Sequence, residues 1–524
     1  MLRFQPTPGV RLTTPQQDKS TAAPPKPWSK RTWAAWLCTL TCCTLLIHGY
    51  HPLAEDGGLY VAGIQYTLDP ALFPHYTAFV REHLRFSIFA PAVAAAVHVT
   101  HLPLLWVLFL LDILSIWLTL FSARQMLRRI LPSASSAAHL AGVVLLAAWW
   151  TMPIAGTSLL LMDPYLTARS FSTPLSLLAI AYTLDTSYMR AGLCLALAAL
   201  LHPLMAAYAL AFLVVLLLSR ATRPLKARIL SWLALTVAAL ALAALLQSLA
   251  APESSAYRAA AITRYYWFLS QWQWHERFGL LGPLAVFAGI LYLRRGKLSE
   301  NAITLCHACL ALAVIATLTA GFFAHESSAI HLVARLQVLR LYLLIYAIMT
   351  ILLGTTLYQT SKRPRLIAAA ILAMAAIMFY VQRQSFPLSP QVELPWRADS
   401  NPNPWVQAFV WARNNTPRDA LFALDAKYVN TDGEDAQTFR ATALRSALPD
   451  YSKDGGEASI TPALAPTWQP AADAQRDLSQ LNDTTRDARL RPFGITWMVL
   501  HANAQTAHPC PYVNRTVKVC SLTP

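Results

Sequence analysis

Two adjacent carboxylates, Glu55 and Asp56, stand just beyond the first apolar run of this 524-residue chain and are followed by Gly57-Gly58. Carboxylates cost free energy beside hydrocarbon and are kept there for chemistry, ions or a partner. A carboxylate at a membrane surface can orient or deprotonate a hydroxyl acceptor. Neighbouring acids push their proton affinities apart, so Glu55 would tune Asp56. The plain alternative has Asp56 capping a loop helix beside Gly57 while Glu55 is solvated. Adjacent acids at this depth favour the chemical reading.

A second acidic point is Asp163 in Met162-Asp163-Pro164-Tyr165, with Arg169 following. Asp163 could share a divalent metal with Asp56 or orient an acceptor. It could equally form an Asp-Pro turn that starts a helix, with Arg169 pairing locally. Both readings stay open, and Arg169 is a substrate-binding candidate under the first. Arg335 and Arg340 suit a phosphate, through charge-assisted hydrogen bonds. On a continuous helix their spacing of five residues projects them about 140° apart. Arg340, a turn deeper, is the better candidate, since an unpaired guanidinium there is costly; Arg335 reads more simply as snorkelling. His202-Pro203 could reach a lipid phosphate, but a His beside Pro more often satisfies backbone groups freed at a helix break.

The elements that must position these groups are membrane elements. The chain is 56% apolar and 13% charged, with mean hydropathy +0.40, where soluble domains carry about 25% charged residues. The net charge of +16 does not mark a nucleic-acid binder. Residues 383–524 hold 14 basic and 14 acidic residues, so the excess lies in the apolar part. There it clusters in the amino-terminal tail and in short loops such as Arg124 to Arg129 and Arg220 to Arg228. That is the positive-inside pattern. Apolar runs predict about eleven crossings, at 33–49, 102–122, 138–160, 173–187, 190–201, 203–219, 229–250, 278–293, 301–323, 335–358 and 365–381. The apolar segment 86–100 reads as interfacial or re-entrant.

The expected organisation is a disordered cytoplasmic basic tail (1–31), a membrane domain (32–382) with a first outer loop at 50–101, a Pro-rich linker (383–402) and a soluble α/β domain (403–524). In that last domain Asn403-Pro404 predicts a helix start. Strands are expected near Ala420 to Leu424, Ile495 to Leu500 and Thr516 to Cys520, around a loose Pro/Ala/Asp-rich middle at 452–490. Cys510 and Cys520 would form a disulfide if this domain lies outside the cytoplasm. The aromatic run Tyr265, Tyr266, Trp267, Trp272, Trp274 reads as an interfacial belt. Asp112, mid-span, reads as a helix–helix hydrogen-bonding residue or part of an ion path. Cys306-His307-x-Cys309 lacks a second pair and reads as packing. Gly-rich phosphate loops, serine nucleophile elbows and His-Glu-x-x-His helices do not occur.

A first transmembrane helix followed by a long outer loop that opens on Glu55-Asp56-Gly57, then Asp69-Pro70-Ala71-Leu72-Phe73-Pro74, resembles the GT-C class of polyprenyl-phosphate-dependent glycosyltransferases. The later stretch Trp411 to Phe422 (Trp-x-x-Asn-x-Thr-Pro-x-Asp-Ala-Leu-Phe) is similar to bacterial membrane proteins of the same architecture. The resemblance implies an all-α polytopic GT-C-like membrane domain in the bacterial cytoplasmic (inner) membrane, with the amino terminus cytoplasmic and the C-terminal domain outside. It implies a polyprenyl-phosphate-linked sugar donor and a glycan, lipid or protein acceptor. Asp56 would be base or acceptor ligand, Glu55 and Asp163 would assist, and a divalent metal at Asp56 and Asp163 is the cofactor the acids leave open. A transporter or translocator of a lipid-linked or anionic substrate would use the same acids and Arg340 for recognition; a non-enzymatic scaffold is the third alternative.

Overall fold

In a bilayer an apolar segment can satisfy its backbone polar groups only as helix or closed barrel, and this chain takes the helical route. The computed structural model describes residues 27–431, 435 and 437–522. Most of the tail read at 1–31 lies outside them, and Lys30–His48 is already helix, capped by Ser29 accepting from the Thr32 amide.

Each of the eleven apolar segments contains a helix. Among the described residues, six helices are long and apolar enough to cross a membrane: Leu104–Ile130, Leu225–Leu249, Trp274–Leu293, Glu300–Phe323, Leu332–Thr360 and Pro364–Ser385. Shorter apolar helices are Phe89–Thr100, Ser136–Ala148, Tyr188–Leu201 and Pro203–Leu218.

Two departures from expectation shape the site. The segment expected as a span at 138–160 is helical only over Ser136–Ala148. Pro153 lies in the chain that follows, which runs irregularly through a Pro153–Leu160 bridge with Ala155 and Ser158 at positive φ. Helix resumes at Ala168, started by a reciprocal cap between Thr167 and Ser170. The segment expected as one helix at 335–358 breaks at Gln337, whose φ of 48° is left-handed. Leu332–Arg335 precedes the break, and a 3-10 turn, Val338–Leu341, leads into Tyr342–Thr360.

The C-terminal domain carries a five-stranded sheet ordered β2-β1-β3-β5-β4. Its strands are β1 (Leu421–Ala423), β2 (Ser446–Ala447), β3 (Trp497–His501), β4 (Tyr512–Val513) and β5 (Val517–Ser521). β1 pairs in parallel with β2 and β3, while β5 runs antiparallel to β3 and β4. The helix Pro404–Asn415 starts as expected, with the Asn403 side chain accepting from the Trp405 amide. Cys510 and Cys520 are disulfide-bonded.

The middle at 452–490 is not loose. It forms helices Lys453–Ile460, Ala465–Ala474 and Asp483–Leu490. Pro466 falls in the first turn of the second of these, where its missing N–H costs nothing.

This domain is fastened to the membrane part from several sides. The Tyr50 amide donates to Gln391 O (3.0 Å) and the Glu393 amide to Tyr50 O (2.9 Å). His51 pairs with Glu393 at 3.0 Å and stacks on Phe386. Gln65 Nε2 donates to Ala441 O at 2.8 Å.

Candidate functional site

The helix Glu55–Leu68 begins with its two acids in the first turn, where the helix dipole favours negative charge. Glu55 itself sits at a φ of 50°, a conformation that costs a non-glycine residue about 1–3 kcal/mol and collects at functional sites. The two glycines that follow are there for close approach. A Cβ on Gly58 would lie 1.4 Å from Thr438 Oγ1 and 2.7 Å from Leu53 O; one on Gly57 would meet Pro52 O at 2.6 Å and the Tyr165 side chain at 2.9 Å. Gly57-Gly58 thus lets the acid-bearing turn seat between the Tyr165 loop and the C-terminal domain.

The seated turn opens onto a cavity of about 1280 Å³. Glu55, Asp56 and Tyr60 form one wall, and Arg169, Arg335 and Arg340 line the same space. Both arginines of the broken helix therefore reach one cavity. The left-handed Gln337 re-aims the chain between them, so the 140° separation expected of a continuous helix does not apply. The Arg340 guanidinium lies over the Tyr266 ring at 5.2 Å, and its Nε is buried without a hydrogen-bond partner. Such a group, facing a cavity, suits an anionic oxygen.

The cavity is completed from the C-terminal domain. Lys453, Gly456, Glu457 and Ile460 all line it, a spacing that places them on one face of the helix Lys453–Ile460. Lys453 Nζ donates to Asp56 Oδ1 at 3.1 Å and pairs with Glu55 as well. Burial pushes the Asp56 carboxyl up, but Lys453, Arg169 and Arg340 outweigh it and hold it down at about 2. Burial would lower the Lys453 ammonium, and the two carboxylates instead raise it above the usual lysine range. The Asp56 side chain is nonetheless 41% exposed, toward the cavity it lines.

One turn further on, burial and the like charges of Asp454, Asp56 and Glu82 push the Glu457 carboxyl up to about 8. Its Oε1 lies 4.0 Å from Nδ1 of His83. Burial pushes the His83 imidazole down to about 4, and both its nitrogens are buried without partners.

Asp163 takes a different place. It pairs with Arg169, both groups are buried, and Asp163 does not line the cavity. It stands behind Arg169 and aims it. Burial pushes the Asp163 carboxyl up, and Arg169 offsets only part of that. A divalent ion between Asp56 and Asp163 has a poor donor set: each acid already holds a protein cation, and the described residues contain no group of three or more His, Cys, Asp or Glu able to hold a metal. His202 caps the helix Pro203–Leu218, its Nδ1 accepting from the Met205 amide at 3.4 Å, while its ring also faces the cavity.

The aromatic run is not a simple belt. Trp267 and Trp272 are buried, Tyr266 carries Arg340, and only Tyr265 and Trp274 are exposed. Asp112 is buried in its span with no ion pair among the described residues. Cys306 and Cys309 are buried, and His307 accepts from Arg228.

Lys453, Glu457 and His83 were not legible as site residues. Their one sequence signal is the spacing of Lys453, Gly456, Glu457 and Ile460, hidden in a stretch whose Asp and Gly content suggests loop. His83 sits among charges that read as flanks of an interfacial segment.

No protein-family model and no curated protein matches this chain. Among solved structures it is similar to the apo oligosaccharyltransferase of Archaeoglobus fulgidus, at 13% identity and a TM-score of 0.49, over 91% of this chain and 70% of that one. The same archaeal enzyme, AglB, in complex with an inhibitory peptide and a dolichol-phosphate matches with a TM-score of 0.41. Arabinofuranosyltransferase AftD from Mycobacteria matches at 14% identity and a TM-score of 0.49, over 95% of this chain and 42% of that one.

Proposed function

We propose that this chain is a membrane glycosyltransferase that moves a sugar from a polyprenyl-phosphate donor to a hydroxyl-bearing acceptor at the outer face of a bacterial cytoplasmic membrane. The observation that carries the reading is the opposition, across one cavity between apolar helices and the C-terminal domain, of a carboxylate pair and three arginines.

In the proposed reaction the acceptor oxygen attacks the anomeric carbon while the bond from that carbon to the phosphate oxygen breaks. The phosphate leaves with the electron pair. Arg340, Arg335 and Arg169 stabilise the charge it gains. Asp56, kept anionic by the surrounding cations, accepts the hydrogen bond of the attacking hydroxyl and stabilises positive charge at the anomeric carbon. A carboxyl held at about 2 takes up protons poorly near neutrality. Glu457, at about 8, is mostly protonated near neutrality, and only its ionised fraction, which grows as pH rises, can take the hydroxyl proton. Asp163 positions Arg169. His202 lies at the cavity wall, where its ring adds a neutral polar edge.

The reading is tested by comparing envelope glycolipids and glycans, by mass spectrometry, in cells producing the wild-type chain or Asp56→Asn at equal levels. Loss of the product by about 100-fold or more, in a chain that still folds and unfolds cooperatively, is expected for a group acting on the reacting atoms. A product retained in that variant contradicts the assignment.

A further inference from the structure

Two adjacent carboxylates on one turn need a counter-charge, and the chain brings its own. Lys453 Nζ lies 3.1 Å from Asp56 Oδ1 and pairs with Glu55, so one ammonium bridges both acids. It arrives from a helix 397 residues away along the chain and is not a loose surface lysine. Its side chain is only 13% exposed. Its amide donates to Asp450 Oδ1 at 2.6 Å. Just before it, Arg264 of the membrane part donates to Tyr451 O at 2.8 Å and Ser452 O at 2.7 Å. Just after it, Asp454 is fully buried and takes Arg440 at 2.7 Å. Lys453 is therefore fixed from both sides of its own turn.

A divalent ion at this pair would need several oxygen donors. The next acid in the membrane part, Asp163, is committed to Arg169, and Glu457 faces His83.

We infer that Lys453 is the permanent counter-cation of the Glu55–Asp56 pair, occupying the position a divalent metal would take, so that the site is metal-independent and complete only with the C-terminal domain docked. Lys453 is a positioning residue: it sets the orientation and charge of Asp56. The inference concerns the proposed transfer site, but its test does not use sugar transfer, so either can fail without the other.

The experiment is Mn²⁺ binding to the purified full chain in detergent after chelator treatment, followed by the paramagnetic resonance of free Mn²⁺ and by melting temperature with and without the ion. The wild-type chain and Lys453→Arg are expected to take up no stoichiometric Mn²⁺ and to melt alike with and without it. Lys453→Met, which uncovers both carboxylates, should bind Mn²⁺ about tenfold or more tightly than the wild type, and Asp56→Asn added to it should remove that binding. Stoichiometric Mn²⁺ on the wild-type chain that Asp56→Asn abolishes would overturn the inference. So would a Lys453→Met chain that neither gains Mn²⁺ binding nor melts lower than the wild type, since the lysine would then not be holding the pair.

Discussion

The site contains two acid–base pairs of opposite construction. Asp163 and Arg169 are six residues apart, both under 10% exposed, and satisfy each other inside the membrane part. Glu55, Asp56 and Lys453 join the first loop to the C-terminal domain, with the carboxylates 39% and 41% exposed to the cavity. The first pair is consumed by structure and leaves only the far edge of Arg169 free to act. The second keeps its oxygens accessible, which is what a group that must meet a substrate needs. Burial therefore separates the two acids: one is held against an arginine, the other faces the cavity.

If this contrast is right, the largest stability loss should come from the dry pair. Asp163→Ala strands a buried guanidinium, a change that typically costs about 3–5 kcal/mol. Denaturant or thermal unfolding in detergent should report it, whereas Asp56→Asn should lower the melting temperature less, because Glu55 still pairs with Lys453.

A smaller loss tests the seating of the wet pair. Gly58→Ala places a methyl against Thr438 Oγ1 and Leu53 O, overpacking that costs about 1–3 kcal/mol. The expected readout is faster proteolysis between the membrane part and the C-terminal domain.

The last effect is a pH slope. Glu457 has its carboxyl raised to about 8 in the folded chain, so its protonated form is the one the fold favours. Its contribution is complete below the unfolded value of about 4.3 and is lost as pH rises through about 8. Between those limits stability should fall by at most about 1.4 kcal/mol per pH unit. Glu457→Gln, which cannot ionise, should flatten that slope in melting curves taken across the same range.

Local features of this molecule were legible because their physics is local. Apolar length placed a helix at each expected segment. Asn403-Pro404 marked a helix start, short strand-like runs marked β1, β3 and β5, and two cysteines in a polar domain marked the disulfide. The pairing of Asp163 with Arg169 was visible as one of two readings, since a six-residue separation spans a single turn of chain.

What stayed hidden depends on distant chain segments. Nothing near Lys453 says that it meets Asp56, and nothing near Gly58 says that Thr438 will lie against it. The break at Gln337 was equally silent, because glutamine carries no left-handed preference. Only the packing around it imposes the conformation, and with it the convergence of Arg335 and Arg340.

The most direct measurement of lipid-phosphate recognition is native mass spectrometry of the purified chain with a polyprenyl phosphate, comparing the wild type, Arg340→Ala and Asp56→Asn. One lipid per chain on the wild type, kept by Asp56→Asn and lost by Arg340→Ala, is the expected result. Equal retention by all three, or no lipid on the wild type, would contradict a phosphate-holding cavity and with it the transfer of sugar from a lipid carrier at this site.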